Sequence, residues 1–113
     1  MKIVEESSMD SNLIKEAVNK ANKIIASRDR GFETNECRSL ATNLILHLTT
    51  HFDRAPATAA AVIQYLSDNG FKITNLKGDA YFRFMRMFGP RISQFSTEEV
   101  EQLRKIAKKL MLN

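Results

Sequence analysis

The sequence predicts an all-α fold, a compact single-domain bundle of about five helices with an extended connector near residues 71–78. Three observations carry this. Apolar residues recur at the 3.6-residue period of an amphipathic helix along most of the chain. Capping and stop residues bracket the periodic segments. The one stretch that partly alternates, 71–78, has no second strand-like stretch to satisfy its ladder groups. With 113 residues, 43% of them apolar, the chain has the length of one domain and enough apolar side chains for one core. No stretch repeats at a fixed period or is low in complexity, so no second domain is expected.

The first helix is predicted over about Ser11 to Arg28. Leu13, Ile14, Ala17, Val18, Ala21, Ile24 and Ile25 form its apolar stripe, Asp10 or Ser11 can cap it, and Gly31 follows its end. Residues 1–10 are expected as a flexible N-terminal segment and 11–113 as the helical domain. The second helix starts at Thr34 or Asn35, both able to cap, and carries Cys37, Leu40, Ala41, Leu44, Ile45, Leu48 and Phe52 on one face. Pro56 suits the first turn of a third helix, whose stripe is Ala59, Val62, Ile63 and Leu66. Asp68-Asn69-Gly70 closes it, and a left-handed Gly70 would set Phe71 against Leu66 in a Schellman motif.

Phe71, Ile73 and Leu76 alternate with polar residues in the connector. The fourth helix, Asp79 to Phe88, has only Arg83 and Arg86 as polar residues after Ala80, so it reads as apolar nearly all round. Such a helix is expected either at the centre of the core or half buried in an interface, including a homodimer. Gly89-Pro90 stops it. The fifth helix opens on a capping box, Ser96 with Glu99, and turns Val100, Leu103, Ile106, Ala107, Leu110 and Met111 inward.

Composition narrows the setting. The single cysteine, Cys37, cannot close an intramolecular disulfide, which favours a reducing compartment, and a cytoplasmic location is expected. Met1 to Asp10 contains three acidic residues and no apolar h-region, so no secretory signal is read there. The longest apolar run, Ala59 to Ile63, falls far short of the roughly 20 residues of a membrane span, and no membrane partner is expected.

Catalytic chemistry finds few supports. His47 and His51 stand at i, i+4, the spacing that brings two imidazoles to one metal, yet a third ligand is required. Cys37, ten residues before His47, is about 15 Å away along the helix axis. The simpler reading makes both histidines half-buried borders of the Leu40, Leu44, Leu48 face. Cys37 sits in a helical first turn, which favours a thiolate, but it also occupies the core-facing stripe beside Glu33 and Glu36, which points to a buried structural cysteine. Glu98, Glu99 and Glu101 cluster where the helix dipole favours acids, with Arg104, Lys105, Lys108 and Lys109 in the later turns. No phosphate-cradling glycine loop, nucleophile elbow or Cys-x-x-Cys pair occurs. A non-enzymatic protein is expected, with no cofactor and no metal.

The informative feature is a shift in charge along the chain. Residues 1–56 hold eight basic and eight acidic side chains, whereas residues 57–113 hold nine basic and five acidic, so the second half supplies the whole net charge of +4. Lys72, Lys77, Arg83, Arg86 and Arg91 interleave with Phe71, Tyr81, Phe82, Phe84, Phe88 and Phe95. Basic groups neutralise phosphates and exposed rings stack on unpaired bases, so this mixture predicts a regulatory or accessory protein that binds nucleic acid. Arg104, Lys105, Lys108 and Lys109 are candidate support for that surface. Two other readings fit the same residues: rings in the core with arginines snorkelling at its rim, or a protein partner docking on Tyr81, Phe82, Phe84 and Phe88. A tight helix-turn-helix is disfavoured by the nine residues between the third and fourth helices, and with no Asn or Gln on the fourth, base-edge readout is poorly supplied.

Overall fold

The computed structural model describes residues 2–76, 78–89 and 97–112, with the side chains of 2–11, 97, 99, 100 and 110–112 outside the described set. Five α-helices follow one another: α1 (Lys2–Ala26), α2 (Asn35–His51), α3 (Pro56–Asp68), α4 (Gly78–Phe88) and α5 (Thr97–Leu112). Short 3-10 turns stand at Arg28–Arg30 and Ile73–Asn75, and no strand occurs among the described residues. The fold is an all-α bundle, as predicted. No described helix is long and apolar enough to cross a membrane.

Helix α1 begins at Lys2 rather than near Ser11. Neither glycine nor proline occurs before Gly31, so nothing in the backbone stops the helix from continuing toward its N-terminus once formed. Asp10 and Ser11, read as caps, lie inside it. Its C-terminal end comes at Ala26, before the expected Arg28, because the buried Ser27 hydroxyl donates to the Ile24 carbonyl at 2.7 Å and the chain tightens into the 3-10 turn. Gly31, at φ +97°, then redirects the chain.

For α2 the choice between two caps falls on Thr34, whose hydroxyl accepts the Cys37 N–H at 3.1 Å. Helix α3 carries Pro56 in its first turn and ends in the bond pair of a Schellman motif: Phe71 N–H to the Leu66 carbonyl and Gly70 N–H to that of Ser67, both 3.0 Å. Gly70 supplies the required positive φ of +99°, and Phe71 and Leu66 are both buried.

Two expectations change here. The connector is turned rather than extended throughout: Lys72 and Leu76 are extended, but between them Asn75 accepts the Lys72 N–H on its side chain at 2.8 Å and returns its own N–H to the Lys72 carbonyl. Its polar groups thus find partners locally, without a sheet. Among the described residues the most deeply buried helix is α3, so α4 does not take the central place that is one of its two expected positions. Ala59, Ala60, Ala61, Val62, Ile63, Tyr65 and Leu66 are all buried, and three consecutive alanines let α1, α4 and α5 pack around it. Helix α4 buries one face only, Ala80, Phe84 and Phe88, against α2 and α3. Helix α5 lays Leu103 and Ala107 on α1 and α3. The predicted Ser96 cap, the Glu99 side chain and the inward turn of Val100, Leu110 and Met111 lie outside the described residues.

Candidate nucleic-acid interface

Ala80, Phe84 and Phe88 recur every four residues, so they share one side of α4 and go to the core. That phase turns Asp79, Phe82, Arg83 and Arg86 the other way. These four, with the half-buried Met87, line an open groove of about 580 Å³. Phe82 is 64% exposed, an unusual amount for a phenylalanine. Arg83 and Arg86 are exposed as well, and among the described residues neither enters an ion pair. Asp79 is the one acid on this face, in the first turn where the helix dipole favours it. Tyr81 is half buried and meets the Phe82 ring edge-on, centroids 5.6 Å apart and planes at 78°.

The other predicted cations are dispersed. Lys72 is exposed and its ammonium donates to the Ser67 hydroxyl at 3.1 Å and carbonyl at 3.4 Å, bridging the connector to the last turn of α3. Arg104 is held by carboxylates on both sides, Asp68 of α3 and Glu101 one turn back on α5. The hydrogen bond to Asp68, then the two negative charges, raise its guanidinium pKa further above an already high value. Lys105, Lys108 and Lys109 are exposed and line a second groove, about 370 Å³, with the half-buried Ile106. The two grooves share no lining residue. Lys77 and Arg91 lie outside the described residues.

The predicted aromatic docking face is corrected in two positions. Phe84 and Phe88 are wholly buried, their rings 5.1 Å apart in the core, and are closed to a partner in the folded chain. Of the four, Phe82 is exposed and Tyr81 half buried. Composition along α4 obscured this; the spacing of Ala80, Phe84 and Phe88 is the signal that separates buried from presented rings.

The two histidines differ where the sequence suggested a like pair. His47 is buried, while His51 is exposed with its ring 4.9 Å away. His47 Nε2 lies 3.0 Å from the Leu13 carbonyl oxygen, an acceptor only, so Nε2 carries the proton and donates it. Nδ1 lies 3.7 Å from the Glu16 carboxylate. Both ring nitrogens therefore face α1, and His47 acts as a polar rivet between α1 and α2. Its partners lie more than thirty residues earlier in the chain, which local spacing does not reveal. Cys37 is fully buried. Among the described residues no three His, Cys, Asp or Glu side chains converge as a metal site would need. Glu98 and Glu101 are exposed, and Glu101 pairs with Arg104. The space ringed by Ile24, Leu44, Ile45, Leu66, Phe71 and Leu76 is too tight to hold even a water molecule. Compared with protein families, with curated proteins and with solved structures, the chain matches none.

Proposed function

We propose that this protein is a small, non-enzymatic regulatory or accessory protein that binds nucleic acid through the outward face of α4. The observation that carries the reading is the juxtaposition of Arg83, Arg86 and the exposed Phe82 along one open groove with a single acid, Asp79. Among the described residues neither arginine has a carboxylate partner, which leaves its charge and its fork of donors for a phosphate. Arg104, by contrast, is already engaged by Asp68 and Glu101. Two arginines three residues apart on a helix are surface neighbours, with Cβ atoms about 5–6 Å apart, so both can follow one backbone. No Asn or Gln stands on α4 to read adenine edges, which favours contact with the backbone over sequence readout.

The rival reading, a protein adaptor or inhibitor docking on Tyr81, Phe82, Phe84 and Phe88, rests on an aromatic patch that the burial of Phe84 and Phe88 reduces to one ring and the edge of another. Charge reversal tests the proposal. The double variant Arg83→Glu, Arg86→Glu is expected to lose detectable binding to labelled nucleic acid in an anisotropy titration. Both side chains are exposed, so its thermal transition should stay close to that of the parent, with a stability change within about 0.5 kcal/mol. A folded double variant that binds as the parent does would remove α4 from the site.

A further inference from the structure

We infer that the α4 groove selects unpaired strands, with Phe82 as the ring on which a base stacks and Arg83 and Arg86 as the clamps on the adjoining backbone. This rests on the nucleic-acid reading above and goes further by naming the form of the ligand. Phe82 is a large apolar side chain held 64% exposed while Phe84 and Phe88, on the same helix, are fully buried. Its position is set by helix phase: side chains at 80, 84 and 88 go inward, and 82 cannot follow without unwinding the turn. The described ring beside it, Tyr81, meets it edge-on, so at least one face of Phe82 is left for a planar partner. Arg83 adjoins Phe82 and Arg86 lies one turn on, both lining the same groove.

Charge alone gives the single strand no advantage, because a duplex presents its phosphates at the higher density. A ring distinguishes them. Within a duplex the base faces are covered by their neighbours, and reaching one requires unstacking, whereas an unpaired strand offers its faces freely. Stacking is also indifferent to base identity, since every base has a π-face, which agrees with the lack of base-edge readers on α4.

The chain has no tryptophan, so Phe82→Trp places a unique fluorophore in the groove. This variant would be titrated with single-stranded oligothymidine and, separately, with a duplex of equal length, alongside anisotropy titrations of the parent and of Phe82→Ala. The expected result is quenching of the tryptophan emission by the single strand and weaker binding of the duplex. Phe82→Ala should lower single-strand affinity by about five-fold or more, lower duplex affinity by less, and leave the thermal transition unchanged. Equal affinity of the parent for both forms, or a folded Phe82→Ala that keeps its single-strand affinity, would overturn the inference while leaving the nucleic-acid reading intact. Failure of the parent to bind either form would overturn both.

Discussion

Tyr65 shows how single polar groups tie these helices together. Its hydroxyl donates to the Asn22 side-chain oxygen at 2.5 Å, linking α3 to α1 across a sequence separation of more than forty residues. Burial raises the phenol pKa above its ordinary value, because the phenolate would be poorly solvated there. A raised folded-state pKa means that the folded chain holds this proton more tightly than the unfolded chain. The stability linked to it is complete below the ordinary phenol value, about 10, and is lost as the pH rises through the folded-state value. Tyr65→Phe should therefore cost about 1 kcal/mol at neutral pH and flatten the alkaline fall in stability followed by denaturant titration at increasing pH. An alkaline limb as steep as the parent's would contradict the assignment. Neither this bond nor the His47 link to Leu13 is legible in the sequence, because periodicity reports which face a residue occupies and not which distant atom it meets. Cys37, the Thr34 cap and the Gly70 stop are legible because their causes are local.

At the scale of elements, the helices that sequence pattern describes well are those whose polar and apolar residues separate cleanly. Stripe residues Ala17, Val18, Ala21 and Ile24 of α1 and Leu44, Ile45 and Leu48 of α2 are all buried as their spacing requires. Helix α4 is the instructive departure. Its apolar composition suggests a place at the centre of the core or half in an interface, and Ala80, Phe84 and Phe88 fix a phase that buries one face and exposes Phe82, Arg83 and Arg86. The site is thus half visible in the sequence: composition picks out its arginines and its ring, but two buried phenylalanines along with them. This division makes a prediction for stability. Phe84→Ala should cost about 3–5 kcal/mol, since it opens a cavity where α4 meets α2 and α3. Phe82→Ala, two positions away, should stay within about 0.5 kcal/mol. Equal losses in urea unfolding would mean that α4 is not anchored in this phase. The start of α1 and the connector turn escape sequence pattern for a different reason. One depends on the absence of a breaker, the other on a side-chain acceptor at Asn75 that substitutes for a strand partner.

Across the whole molecule, the basic excess of the second half separates by helix. Arg83 and Arg86 stand on α4, Lys105, Lys108 and Lys109 on α5, and Lys72 and Arg104 are drawn into bonds around the C-terminal end of α3. Helix α4 rests mainly on α2 and helix α5 on α3 and α1, so the two outer faces are positioned by different neighbours. An open groove along a helix is suited to a ligand that is long and uniformly charged, and the space ringed by Ile24, Leu44 and Phe71 in the core is too tight for a small one.

The salt dependence of binding tests this account most directly. Affinity for single-stranded oligothymidine would be measured at a series of salt concentrations for the parent and for Arg83→Gln, Arg86→Gln. The predicted result is a linear fall of log affinity with log salt in the parent, and a slope shallower by about 1.4 in the double variant, about 0.7 for each single-strand phosphate that an arginine no longer neutralises. No binding by the parent at low salt, or the same slope in both proteins, would contradict the claim that these two arginines hold a nucleic-acid backbone.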